Sequence, residues 1–239
     1  MSQVEATLQT EPSPLRGDAI DDPAVWVHPE APEKSRILAT DKRTGLYVYD
    51  MSGNIVQELP VGRLNNVDVR GSWAVASLRD NNSLQLFDIN ADGKLSVGTN
   101  ALTDIDEIYG LCMGYNESTE QTSVYVNGKS GVIQQFVISN DGKMEKVREL
   151  SVPSQPEGCV VDDKTQRLFV GEEDVAVWLF DAAADGSTSG EAIINVDQHE
   201  ELVDDIEGVT FANVDGRDLL FVSSQGNDSY IVFEGQAPW

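Results

Sequence analysis

One pattern recurs five times along the chain and limits its fold more than any other feature. An apolar, β-prone run closes on a polar residue and a glycine turn. It reads "LYVYDMSGN", "LQLFDINADGK", "QQFVISNDGK", "VWLFDAAADGS" and, more weakly, "YIVFEGQ". The turn glycines are Gly53, Gly93, Gly142, Gly186 and Gly235, spaced 40, 49, 44 and 49 residues apart. Units of that length suit four-stranded antiparallel blades stacked around an axis. Asp-Gly between alternating strands is a hairpin signal.

Two more strands precede each hairpin. The first opens on polar residues: "DDPAVWV", "LNNVDVR", "EIYGLCM", "QPEGCVV" and "DIEGVTF". The second ends on charged or amide residues: "ILATDKR", "AVASLRD", "VYVNGKS", "LFVGEED" and "FVSSQGN". The expected architecture is an all-β propeller over residues 19–239, after an extended lead-in over 1–18 that carries Pro12 and Pro14. Five units are legible, and the fifth stops at Trp239 before an outer strand.

In such a fold, equivalent positions of every blade converge on one rim. The start of one antiparallel strand and the end of the next share an edge. That places Asp21, Asp22, Asn66, Tyr109, Glu157, Asp205 and Glu207 near Asp41, Lys42, Arg43, Arg79, Lys129, Glu172, Glu173 and Asp174. Asp205 and Glu207 are read as lying on one strand face. Carboxylates without His or Cys are hard oxygen donors and suit calcium better than zinc. The cations are notable because the chain has only 16 Lys and Arg against 41 Asp and Glu. Lys and Arg are the usual partners of phosphate. The combination points to a polyphosphorylated ligand held with calcium.

The formal net charge of −25 argues against a nucleic-acid partner, which needs a basic face. No run of eighteen apolar residues is present, so no membrane span is expected. The N-terminal residues lack the basic start and apolar middle of a secretory signal. Cys112 and Cys159 each sit in an apolar run and read as buried free thiols, with a disulfide left open. "DINADGKL" resembles the opening of a calcium loop, but Thr99 stands where the last ligand belongs, so it reads as a hairpin turn. "RGD" at 16–18 is read as incidental.

The segments "DDPAVWVHP", "TDKRTGLYVYD", "GRLNNVDVR", "DEIYGLCMG", "NGKSG", "PEGCVVDD", "GEEDVAVW", "DIEGVTF" and "SSQGNDSY", in this order, resemble the β-propeller phytases. The resemblance covers residues 18–234. It implies a six-bladed plan of which about five blades are encoded here, and a calcium-dependent enzyme of the 3-phytase type. Such an enzyme hydrolyses phytate (inositol hexakisphosphate) by attack of a calcium-bridged water. It further implies that Lys42, Arg43, Arg79 and Lys129 bind substrate phosphates. Tyr109, Glu157, Asp205 and Glu207 would serve catalysis, and Asp22, Glu157, Glu172, Glu173, Asp205 and Glu207 would hold several calcium ions. Secretion or a periplasmic location follows from the same resemblance.

Family members continue beyond the position of Trp239 into a segment with further calcium ligands. The expectation is therefore a chain lacking that segment and completed by it or by a second phytase domain. The alternative function is a degenerate domain that captures phytate or calcium phytate with little turnover. A calcium-dependent lactonase on a similar propeller is disfavoured by the ring of cations. A structural interaction propeller is the remaining reading.

Overall fold

Strand register turns the sequence repeat into space. The structure, a computed structural model, describes residues 4–15 and 17–239; Arg16 of the "RGD" triplet and residues 1–3 of the lead-in lie outside them. Blade one is β1 (Ile20–Trp26), β2 (Arg36–Asp41), β3 (Gly45–Tyr49) and β4 (Ile55–Leu59). Blade two is β5 (Leu64–Arg70), β6 (Trp73–Leu78), β7 (Ser83–Ile89) and β8 (Leu95–Leu102). Blade three is β9 (Ile108–Asn116), β10 (Gln121–Gly128), β11 (Val132–Ile138) and β12 (Met144–Ser151). Blade four is β13 (Pro156–Asp162), β14 (Arg167–Glu172), β15 (Ala176–Asp181) and β16 (Glu191–Asn195). Blade five has three strands, β17 (Val209–Val214), β18 (Arg217–Ser224) and β19 (Ser229–Glu234). All pairings within blades are antiparallel, as expected from the hairpins.

The core lies between blades. Alternation along each strand sends one face to the preceding blade and one to the next. Trp26, Leu38 and Val48 meet Leu64, Val67 and Phe87 between blades one and two. Phe169, Val177 and Ile194 meet Val209, Leu220 and Val222 between blades four and five. Inner strands pack in the series β1, β5, β9, β13, β17, and no comparable packing joins β17 back to β1. The ring is therefore open between the fifth blade and the first.

The lead-in crosses the outward face of blade one. Glu11 N–H donates to Gly53 O at 2.8 Å, its carboxylate accepts from Ile55 N–H at 2.7 Å, and Ser13 Oγ donates to Asp41 Oδ2 at 3.0 Å. Ala39, Tyr47 and Tyr49 are buried on that face. Gly53 is needed there: its φ is +84°, and a Cβ would lie 2.7 Å from Gln9 O.

Three local expectations differ from the structure. The cysteines are not free thiols: Cys112 and Cys159 form a disulfide with Cα atoms 5.5 Å apart. They occupy β9 and β13, neighbouring inner strands, which brings two apolar runs side by side. Next, the strand read in "DIEGVTF" starts only at Val209. Asp205 takes a left-handed φ of +78°, so Asp205 and Glu207 lie on a loop and share no strand face. Finally, Gly53, Gly93 and Gly142 adopt the positive φ of a turn, whereas Gly186 and Gly235 do not.

Candidate functional site

The rim forms because one backbone bond repeats. The residue just after the second strand of each of the first four blades donates its N–H to a carbonyl just before, or at the head of, the first strand. The pairs are Lys42 to Ala19, Arg79 to Arg63, Lys129 to Glu107 and Glu173 to Gln155. Blade five repeats it with Gln225 to Asp205. Lys42, Arg79, Lys129, Glu173 and Gln225 are thus equivalent, and they stand around one mouth. Gln225 was missed from sequence, although "SSQGN" holds it in register with "TDKR" and "SLRD".

The position before each of these turns inward. Asp41 and Glu172 are both 0% exposed. Glu172 Oε1 accepts from the N–H and the hydroxyl of Ser154, and its Oε2 accepts from Trp178 Nε1 at 2.8 Å. Both oxygens of this expected calcium ligand help to hold blade four together. Asp41 similarly caps the turn that carries Lys42 and Arg43, accepting from Arg43 N–H at 2.8 Å and Thr44 N–H at 3.1 Å. Arg43 is exposed, one residue beyond the rim position.

The centre of the rim is a Tyr109–Glu157 pair. Glu157 is 6% exposed. Asn65 Nδ2 donates to its Oε1 at 3.2 Å, and Tyr109 stands beside it on the neighbouring inner strand. Above the Tyr109 ring stand Lys129, with Nζ 4.5 Å from the centroid, and Arg79, with its guanidinium carbon at 6.0 Å. Cations over an aromatic face are attracted by its quadrupole. Gly110 allows this closeness, because a Cβ there would lie 1.9 Å from Glu157 O. Asn127 bridges the same strands, accepting from Gly110 N–H and donating to Glu157 O.

Asp21 and Asp22, adjacent in sequence, do different work. Asp21 Oδ1 pairs with Lys42 Nζ at 2.8 Å. Asp22 Oδ2 instead accepts from Val67 N–H at 2.9 Å, tying blade one to blade two. Asp68 repeats that tie one blade later, accepting from Met113 N–H at 2.7 Å. Asp21, Asp22, Glu157, Glu207 and Gln225 line a cavity of about 410 Å³. Gln225 Nε2 donates to Glu207, and Gln155 Nε2 to Glu173.

Charge is concentrated here beyond what the cations offset. Burial, then the charges of Glu207, Asp21 and Glu173, raise the Glu157 pKa to about 8. Burial also raises Asp22 well above the usual range, with Asp68, Asp21 and Glu157 adding to it. Glu207 is raised by burial and by Asp205 and Asp21, and Glu173 by burial and Asp205. Burial and the surrounding acids raise Tyr109 as well, so its hydroxyl stays protonated. Burial alone would lower Lys42, but its bond to Asp21 and the nearby acids raise it overall.

Two carboxylate oxygens here, Asp21 Oδ2 and Glu157 Oε2, are buried without a hydrogen-bond partner. Buried oxygens of that kind are costly unless a cation compensates them. The donor chemistry, carboxylate oxygens without His or Cys, fits a hard cation such as calcium. Among the described residues, no three His, Cys, Asp or Glu side chains are already gathered around one point.

Fold and rim together define an open-ringed β-propeller that sets a few cations among sequestered acids. The chain belongs to the phytase family, whose family model matches residues 1–238. It is 37% identical over 255 residues to the 3-phytase of Bacillus subtilis (strain 168), an alignment covering 98% of this chain and 66% of that protein. The chain thus spans just under two thirds of that relative's length. Among solved structures, a protein from Lactobacillus plantarum superposes with a TM-score of 0.59 at 11% identity, over 90% of this chain and 70% of that one. Sqt1 from Chaetomium thermophilum gives 0.57 at 13%, over 92% and 62%. At such identities these two show the propeller fold alone.

Proposed function

We propose that this chain is a phosphoric monoester hydrolase of the 3-phytase type, acting on phytate with calcium as cofactor. The observation that carries this reading is the stack of Lys129 and Arg79 over Tyr109, beside the buried Glu157. It sets phosphate-binding cations directly against a buried acid. Calcium bound by Asp21, Glu157 and Glu207 would offset their charge and polarise a phosphoryl oxygen.

The chain's own residues supply the rest. Lys42, Arg79 and Lys129 bind phosphate oxygens and neutralise charge that builds in a loose phosphoryl-transfer transition state. Arg43, next to Lys42, would take a neighbouring phosphate of the same inositol ring. Glu207, with its pKa raised by burial and by Asp205, is suited to take a proton from the water that attacks phosphorus. Tyr109 holds Lys129 and Arg79 beside Glu157. Glu173 and Asp205 add negative charge at the mouth, and Glu172 serves the blade.

The direct test is phosphate release from phytate with calcium and with chelator, for wild type, Lys42→Ala and Glu207→Ala. Release that needs calcium and falls in both variants supports the reading, and release that survives chelation removes the calcium requirement. A second reading is a phytate-capturing domain with weak turnover, working beside a complete catalytic domain. It is favoured by the absence of three gathered carboxylates among the described residues. Phytate binding without release in any condition would select it. A secreted or periplasmic location is supported by the Cys112–Cys159 disulfide, since such bonds persist in oxidising compartments.

A further inference from the structure

Asn65 sits behind the rim and touches both halves of its chemistry. It is 0% exposed. Its Oδ1 accepts from Arg79 Nη1 at 3.1 Å, and its Nδ2 donates to Glu157 Oε1 at 3.2 Å and to Asn66 Oδ1 at 2.7 Å. Its carbonyl accepts from the Thr40 hydroxyl, which itself accepts from Asp22 N–H at 3.0 Å. One amide therefore uses its acceptor on the cation and its donors on the acid side, and the backbone beneath it is also held.

The choice of a neutral side chain matters. Arg148 takes the Gln135 amide oxygen and backbone carbonyls, but seven other cations of this chain, which has 41 acids, are anchored by a carboxylate. Lys42, Arg63, Arg70, Lys143, Lys146, Arg167 and Arg217 are all paired that way. Arg79 forms no carboxylate pair of that kind among the described residues; its side-chain hydrogen bond goes to Asn65. An amide oxygen fixes the direction of the fork without cancelling its charge. The same amide cannot be reversed without turning its NH₂ group toward Arg79 and its oxygen toward Glu157, so its orientation is set from both sides.

We propose that Asn65 is a positioning residue that aims the Arg79 guanidinium at the anionic ligand while leaving its charge uncompensated. The proposal rests on the phosphate-handling reading of the rim and adds to it the residue through which Arg79 acts. Removing the amide frees the fork to swing toward the surrounding acids. Replacing it with a carboxylate keeps the shape but neutralises Arg79 and places a second buried acid against Glu157.

The test is a two-residue cycle read by calorimetric binding of phytate and of inorganic phosphate. The expected results are an affinity loss of about tenfold for Asn65→Ala, as for one charged hydrogen bond, and a larger loss for Asn65→Asp. In the Arg79→Ala background, Asn65→Ala should add no further loss, because its effect passes through Arg79. An equal loss in both backgrounds would overturn the proposal, since a purely structural role does not depend on Arg79. A measurement on the unaltered protein covers variants that fail to fold. Nitrogen NMR of the ligand-free chain should show slow rotation of the Arg79 guanidinium, and a freely rotating group would overturn the proposal. The two readings fail differently. A wild type that binds neither probe removes the phosphate reading. A wild type whose binding falls with Arg79→Ala but not with Asn65→Ala removes only the role of Asn65.

Discussion

At Glu157, burial and three neighbouring acids hold on to a proton that water would remove. Its pKa of about 8 against an ordinary 4.5 means that the folded state binds more protons than the unfolded state between those values. The stabilising difference is present at low pH and is lost as pH rises through the folded pKa, with a slope of at most about 1.4 kcal/mol per pH unit for one proton. Asp22, Glu173 and Glu207 are shifted in the same direction. Melting in the presence of chelator should therefore show a midpoint that falls from about pH 5 to 8. Glu157→Gln should flatten that fall, and an unchanged profile would show that Glu157 is not the proton holder. Gly110 is the second sensitive position. A methyl group there meets the Glu157 carbonyl, so Gly110→Ala should cost about 1–3 kcal/mol and separate Tyr109 from Glu157. Urea titration and phosphate release would measure the two effects. The sequence showed the rim residues because Lys42, Arg79 and Lys129 fall at equal places in the repeat. It could not divide neighbours by direction. Asp21 and Asp22, or Glu172 and Glu173, differ by one residue, and a one-residue step on a strand reverses the face.

Strands and their register were legible because alternation and hairpin glycines act within a few residues of each other. Contacts between blades were not, since they join positions more than 40 residues apart with no local signature. The Cys112–Cys159 bond is the clearest case. A signal for it existed: Cys112 stands three residues after Tyr109 and Cys159 two after Glu157, on successive inner strands. Reading it requires knowing that those strands lie side by side. The disulfide staples the two strands that carry the Tyr109–Glu157 pair, below the point where Gly110 lets them touch. With its ends 47 positions apart in sequence, it should stabilise the fold by about 4 kcal/mol if chain entropy governs. Cys112→Ser with Cys159→Ser should lower the urea midpoint correspondingly. It should also reduce activity more than a destabilised but still folded control does. A double variant as stable as wild type would show that interblade packing alone holds the strands. The loop before β17 marks the other limit of legibility. Its apolar residues resemble a strand, and the left-handed Asp205 that bends it has no counterpart in the other four units.

Over the whole molecule, the acids that crowd the rim are part of a larger imbalance: a formal charge of −25 on 239 residues opposes compaction everywhere. The open ring sharpens that opposition. Blade one is covered on its outward face by the lead-in, whereas blade five presents Tyr230, at 76% exposure, with Val232 and Val214 toward the opening. Thr210, Phe221 and Val232 form one cross-strand row on that side. Among the described residues, blade five does not pack against blade one as the other neighbouring blades pack against each other. Any cation that binds carboxylates from both sides of the opening would act as a tie across it, and the cavity lining meets that condition: Asp21 and Asp22 come from blade one, Glu207 from the loop entering blade five. Calcium at a hundred times its dissociation constant would stabilise the folded state by about 2.7 kcal/mol, which for a chain of this size raises the midpoint by several degrees. Sodium chloride at matched ionic strength should raise it less, because screening weakens repulsion without joining the two sides. Magnesium should also do less, since it gives up its waters reluctantly and demands a tighter octahedron than side chains on separate elements supply. Differential scanning calorimetry with the three salts separates these effects. Equal shifts from all three would assign the gain to screening and leave the rim acids without a metal role. A calcium-specific rise that disappears in Asp21→Asn and in Glu207→Gln would place the ion between the first blade and the fifth.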